Sequence, residues 1–382
     1  MNLALADIRH HFLRFALTAI GVGALFTACI GMIGLYRGII FEALIVINDI
    51  GADFWVVEGQ RSGPFAERSE ISGLLDRRLE GVPGVTRVRR FIQFNQRYIV
   101  DGRRLQIAVT SLDYPKDTGS WIPLTQGRHL RNGHYEAIAN ESLGFRLGDL
   151  IRLGRDDYRI VGLTKGQVDI GGDGILYVTI PDAQTLDLYV PSEAILLGRT
   201  QANKQAAPVG YAQGRVAAVM ASFQPGVDGE QVKRRVQRWG DVAILSRDQE
   251  EEALMGGRLR SLKFQILSFV GLTMLVTILV LSLSIYTITI EKTPQIALLK
   301  LIGAKNRMIN AMIVQQALII GTTAFIGAMI TANYLFVYFP RKVLILPLDL
   351  LGQAFFVLVI CVLGSFFGIR KAMGVRPQDI LS

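Results

Sequence analysis

Four long apolar runs without a single charge punctuate the chain: 15–36 (FALTAIGVGALFTACIGMIGLY), 264–290 (FQILSFVGLTMLVTILVLSLSIYTITI), 308–339 and 350–369 (LLGQAFFVLVICVLGSFFGI). At about 1.5 Å per helical residue, each is long enough to cross a hydrocarbon core of roughly 30 Å. The first run is too long for the apolar centre of a secretory signal, and no small-x-small cleavage site follows it. The pattern therefore predicts four transmembrane helices, at 15–36, 263–290, 308–339 and 350–369.

Between the first two runs the periodicity changes. DFWVVEG, ILYVTI and RVAAVMASF read as strands, and QRYIVDGRRLQIAVTSL holds two alternating runs about Asp101-Gly102, a hairpin signal. LGDLIRLGRDDYRIVGLTKG reads as a second hairpin-like pair. DGEQVKRRVQRW is a helix with Val232 and Val236 on one face, and RDQEEEALMGGRLRSL runs helically towards the second span, interrupted at Gly256-Gly257. The fold class that follows is an α-helical membrane protein with four transmembrane helices and a large α+β domain, 37–262, inserted between helices 1 and 2.

Orientation follows from cations in the short segments. One side collects Arg9 and Arg14 (1–14), Lys292, Lys300, Lys305 and Arg307 (291–307), and Arg370, Lys371 and Arg376 (370–382); the opposite short loop, 340–349, has only Arg341 and Lys342. Both termini and 291–307 are expected in the cytoplasm, and 37–262 on the outer side of the membrane. The net charge of +9 belongs largely to these flanks, which favours contact with anionic lipid over nucleic acid. Both cysteines, Cys29 and Cys361, fall inside spans, so the external domain must hold together without disulfides.

Candidate chemistry is sparse. There is no phosphate-binding G-x-x-x-x-G-K-[ST] loop, and the short segment before the first span leaves no room for a nucleotide-binding domain ahead of it, so any ATP is expected to be hydrolysed by a partner. His129 and His134 are a weak metal pattern, and Asp169 and Asp173 in VDIGGDG read as a glycine turn rather than a calcium loop. No metal, cofactor or catalytic residue is expected on this chain. The spans carry small residues at four-residue spacing, Gly23, Thr27 and Gly31 in the first and Ala324, Ala328 and Ala332 in the third, a pattern that lets helices pack closely and gives mild support to an oligomer.

The connection EKTPQIALLKLIGAKNRMI (291–309) is the least expected feature. Thr293 reads as an N-cap with Pro294 at the first helical position, and Gly303 as the terminator, giving about 13 Å of helix. Ile296, Ala297, Leu298, Leu299, Leu301 and Ile302 are apolar, and only Gln295 and Lys300 are polar. Too short to span and too apolar to be solvated, such a helix must bury itself against lipid headgroups or in a protein groove, and the lack of a clear polar face favours a groove of a cytoplasmic partner.

This stretch resembles the signature after the second span in permeases of the FtsX/MacB-like (type VII) ABC superfamily. Glu291 and Lys292 open the match, Ile296, Leu299 and Lys300 continue it, and Gly303 and Ala304 close it; Gln295 stands where the family commonly has glutamate, and Ala297 where it commonly has glycine. NDIGADFWVVEG, EAIANESLGFRLGDLIRL and the tail RKAMGVRPQDIL are also similar to family segments. The resemblance, nearest in shape to DevC-like exporters, implies a homodimeric permease working with two copies of a separate ATPase. It implies ATPase coupling through Lys292, Gln295, Ile296, Leu298, Leu299, Lys300, Ile302, Gly303 and Ala304, and expulsion of substrate from the periplasm or outer leaflet by mechanotransmission, often into an adaptor and outer-membrane duct. An FtsX-like signalling role and a lipoprotein-releasing role stay open as alternatives.

Overall fold

The computed structural model describes residues 12–100, 102–189, 214–257, 259–303, 305–339 and 341–373. Ala304, and Arg9 and Arg376 of the orientation argument, lie outside the described residues.

In chain order the elements begin with helix α1 (Phe12–Asp49), strand β1 (Phe54–Glu58), a single turn α2 (Gly63–Ala66), β2 (Ile71–Ser72) and α3 (Leu75–Glu80). Eight strands follow: β3 (Val85–Phe91), β4 (Gln93–Val100), β5 (Arg103–Leu112), β6 (Leu124–Gly127), β7 (Glu136–Asn140), β8 (Leu150–Leu153), β9 (Asp156–Thr164) and β10 (Ile175–Thr179). After α4 (Ile180–Tyr189) come β11 (Arg215–Val216), β12 (Ala218–Phe223), α5 (Gly229–Gln237), β13 (Val242–Ser246) and α6 (Arg247–Gly256). The chain ends in α7 (Arg260–Glu291), α8 (Thr293–Leu301), α9 (Asn306–Leu335) and α10 (Pro347–Met373). Two compact units result, one of Met1–Ile39 with Leu262–Ser382, the other of Ile40–Ser261.

The unit Ile40–Ser261 is built on two large sheets, with a third of two short strands, β2 and β11. An antiparallel sheet of order β13-β1-β12-β3 puts β1 and β12 at its centre, which is why FWVVE and AVMASF are apolar on both faces rather than alternating. Trp55, Phe65 and Phe91 meet edge-on and tilted beside it, with centroids 5.1 to 5.4 Å apart. The second sheet runs β4-β5-β10-β7-β9-β6, with β8 also on β9. Both sequence-read hairpins are present: β4 and β5 pair around Gly102 at φ 75°, and β8 pairs β9 from Leu150↔Arg159 to Leu153↔Asp156. Helix α5 buries Val232 and Val236 as its spacing predicts and is capped by Asp228, whose carboxylate accepts from the Glu230 N–H at 3.0 Å. Helix α6 starts with a full capping box, Ser246 with Gln249, and ends at Gly256, ahead of α7.

The other unit holds four helices long and apolar enough to cross a membrane, 15–49, 260–291, 306–338 and 347–366. They share a core of Val22, Phe26 and Ile30, Leu281 and Ile285, Ile313, Ile320 and Ala324, and Val357 and Ile360. Helices α1, α7 and α10 overrun the apolar stretches of the sequence at both ends, while α9 starts two residues early and ends at Leu335. The largest difference is in α1, which stays helical past Tyr36 to Asp49 because nothing between Arg37 and Asn48 breaks a helix.

The small residues pack, but within one chain. A side chain at Gly23 would come within 3.1 Å of the Ala324 carbonyl, Gly31 lies under the Phe336 ring, and Thr27 is buried with its hydroxyl on the Gly23 carbonyl at 2.9 Å. Ala324, Ala328 and Ala332 are buried along the same core. Their spacing thus serves the contact of α1 with α9 and gives no support to an oligomer. Further along α1, the Leu344 N–H donates to the Gly34 carbonyl at 2.9 Å, and the Arg37 guanidinium grips Asp349 with two bonds of 2.7 Å, fastening the 340–349 loop.

Candidate functional site

Helix α8 follows α7 with only Lys292 between them. The expected Thr293 cap is not made: the preceding Lys292 has φ −91° and ψ 3°, and the Thr293 hydroxyl turns back to the Thr289 carbonyl at 3.4 Å. The reason is local. An N-cap needs an extended residue ahead of the helix, and α7 runs so close to α8 that none is available. Pro294 sits in the first turn as expected, and Gly303, at φ 92°, turns the chain out of the helix, with its N–H on the Lys300 carbonyl at 3.1 Å.

The helix has two apolar sides. Ile296 and Ala297 are 1% exposed; Ile296 belongs to the core made by Leu281, Ile285, Ile309 and Ile313. Leu298, Leu301 and Ile302, at the i, i+3, i+4 spacing of one face, are 56%, 51% and 85% exposed. Gln295 and Gly303 are exposed as well, while Lys292, Leu299 and Lys300 are half-buried. The structure therefore divides these residues into an anchoring side and a free side. Exposed Lys305, Arg307 and Met308 follow the free side in sequence. Such a face can grip an apolar groove with an acidic margin; it has no acid, base or nucleophile for chemistry.

Elsewhere the polar clusters are structural. His134 Nδ1 lies 3.1 Å from Asp182 Oδ1, and Asp182 Oδ2 accepts from the Thr179 hydroxyl at 2.9 Å and the Tyr135 N–H at 3.0 Å. Burial pushes the Asp182 carboxyl above its usual range, against the lowering pull of the His134 and Thr179 bonds. Asp169 accepts from the Asp173 N–H at 2.8 Å and from Asn95, the bonds of a closed glycine turn. A cavity of about 880 Å³ is bounded by Arg89, Lys116 and Trp121, but Arg89 pairs with Asp117 at 2.6 Å and Lys116 with Glu80 at 2.5 Å. Among the described residues no three His, Cys, Asp or Glu side chains converge as metal ligands.

Two family models match the chain: the MacB-like periplasmic core domain over residues 15–239 and the FtsX-like permease C-terminal over residues 267–377. The sequence is 23% identical over 377 residues to an uncharacterized ABC transporter permease of Mycobacterium tuberculosis strain H37Rv, covering 98% of this chain and 97% of that one. It is 22% identical over 375 residues to another from Mycobacterium bovis, with the same coverage. Among solved structures, the periplasmic region of MacB from Actinobacillus actinomycetemcomitans aligns at 12% identity and a TM-score of 0.36, covering 55% of this chain and 95% of that one.

Proposed function

Because this chain belongs to the MacB/FtsX-like family of ABC transporter permeases, we propose that it is the membrane subunit of an exporter and that a separate ATPase docks on α8. Membership implies an ATPase partner, and permeases of this kind are not themselves enzymes. In the proposed cycle, ATP-driven closure of two ATPase copies moves a homodimer of this chain. The periplasmic unit then expels substrate from the periplasm or outer leaflet towards an adaptor and outer-membrane duct. The termini and α8 face the cytoplasm.

The observation that carries the reading is the exposed face of Leu298, Leu301 and Ile302 on a helix whose other side is anchored in the bundle. A helix held rigidly on one side and apolar on the other can take force from a partner and pass it to α7 and α9. Burial of each exposed side chain in a groove is worth roughly 1.5–3 kcal/mol. Export is favoured over FtsX-like signalling by the external unit, Ile40–Ser261, which has two large sheets and a core of its own.

The test is a pair of charge insertions. Ile302→Asp places an unpaired charge in the docked interface and is expected to abolish both co-purification of the ATPase and stimulation of its hydrolysis, with insertion into the membrane unchanged. Ile296→Asp, inside the bundle, is expected to lower the amount of folded permease instead. Leu299 is half-buried and makes a less clean probe. An Ile302→Asp permease that still binds and stimulates its ATPase would refute docking through this face.

A further inference from the structure

Within the unit Ile40–Ser261, β4 lies beside β8 without a ladder between them, so the β4–β5 and β8–β9 hairpins are neighbours at the ends of the sheet. Their inward residues, among them Tyr98, Val100, Ile151 and Tyr158, are buried. Their outward faces follow from register. Arg97 stands opposite Gln106 and Ile99 opposite Arg104 on one hairpin; Leu150 stands opposite Arg159 and Arg152 opposite Asp157 on the other. A groove of about 400 Å³, lined by Val100, Arg103 and Leu105 of the first hairpin and by Asp149, Leu150 and Ile151 of the second, runs where the two adjoin.

This outward face departs from an ordinary solvated one in two ways. Ile99 and Leu150 are 70% and 65% exposed although they sit in the middle of polar alternation. The cations are all of one kind: residues 97–106 and 146–159 hold seven arginines and no lysine, against four aspartates. Arg97, Arg103, Arg104, Arg152 and Arg159 form no ion pair among the described residues. Unpaired arginines in excess over acids around exposed aliphatics are the composition of a protein interface. Arginine also presents a planar fork that binds carboxylates in pairs.

We propose that the outward face of these two hairpins is a docking surface for an acidic protein segment whose apolar side chains seat on Ile99 and Leu150. Charge complementarity selects the occupant. A second copy of this chain would present the same arginines and be repelled. A lipid surface is ordinarily met by interfacial Trp or Tyr beside the cations, and the outward positions of these hairpins carry aliphatics instead. The surface is remote in sequence from α8, and its occupancy does not require the ATPase.

The experiment uses the full-length chain in its native membranes with a photo-reactive phenylalanine analogue at Ile99 or, separately, at Leu150. The expected result is one protein adduct common to both positions, whose cross-linked segment is rich in Asp and Glu by mass spectrometry. Reversing two arginines, R104E with R152E, should reduce its yield at least about tenfold, as should high salt. ATPase stimulation and thermal stability should be unchanged; if the reversed pair folds poorly, R104Q with R152Q is the control. Adducts only to lipid or to a second copy, no adduct, or an adduct insensitive to both charge changes and salt each overturn the proposal.

Discussion

Glu250 has a fully buried carboxyl with neither oxygen hydrogen-bonded, lodged in the space that a side chain on Gly63 would occupy. Burial alone pushes its pKa up from 4.5 to about 8. The sign follows from linkage. The unfolded chain ionises near 4.5 and the folded one near 8, so between those values the unfolded state binds fewer protons and stability falls as pH rises, by about 1.4 kcal/mol per unit at most. The wild-type chain in detergent is expected to melt at progressively lower temperature from pH 5 to pH 8, and Glu250→Gln to lose most of that slope. Equal slopes for the two would mean that the carboxyl is ionised throughout. None of this was legible in RDQEEEALMGG, where Glu250 is one of three consecutive glutamates; the turn that buries it comes from residues almost two hundred positions earlier. The Thr293 cap was misread for a related reason, since a capping residue is defined by the backbone before it and not by its type.

Among the elements, the loop between α9 and α10 is fastened to α1 by backbone as much as by charge. A side chain at Gly38 would overlap the Lys342 carbonyl, and one at Gly34 would meet Val343 at 2.6 Å. Gly38→Val is therefore expected to lift this loop, read as faster labelling of an Ile345→Cys reporter by a membrane-impermeant maleimide. Unchanged labelling would show that the loop is held by its neighbours alone. Removing one partner of the Arg37–Asp349 pair, as in Asp349→Asn, should loosen the same contact and cost about 1–3 kcal/mol, measured as a double-mutant cycle with Arg37→Gln. The four spans were legible because an uncharged run of that length has few other fates. Which neighbour each small residue meets was not: lipid, a second copy and another helix of the same chain are all apolar, so spacing alone cannot choose among them.

For the whole molecule, with the stripes of α1 and α9 used internally, the proposed homodimer would employ surfaces the bundle leaves open. On α7, Leu272, Leu275, Leu279 and Leu283 are 55–64% exposed. With Cys29 and Cys361 replaced by alanine, cysteines at Leu275 or Leu279 are expected to give disulfide-linked dimers in membranes, and failure at every position along α7 would remove that interface. Sequence alone determined the four membrane helices, both hairpins and an isolated helix too apolar to be solvated, because these depend on local periodicity and on the cost of leaving apolar surface in water. It matched residues 291–309 to their family for the same reason: they are contiguous. Tertiary structure decided which half of that helix is anchored, leaving Leu298, Leu301 and Ile302 as the face open to a partner. It also stranded a carboxyl at Glu250 and brought the hairpin that carries Ile99 beside the one that carries Leu150. Each of these depends on what distant segments place next to a residue, and no window of sequence contains that information.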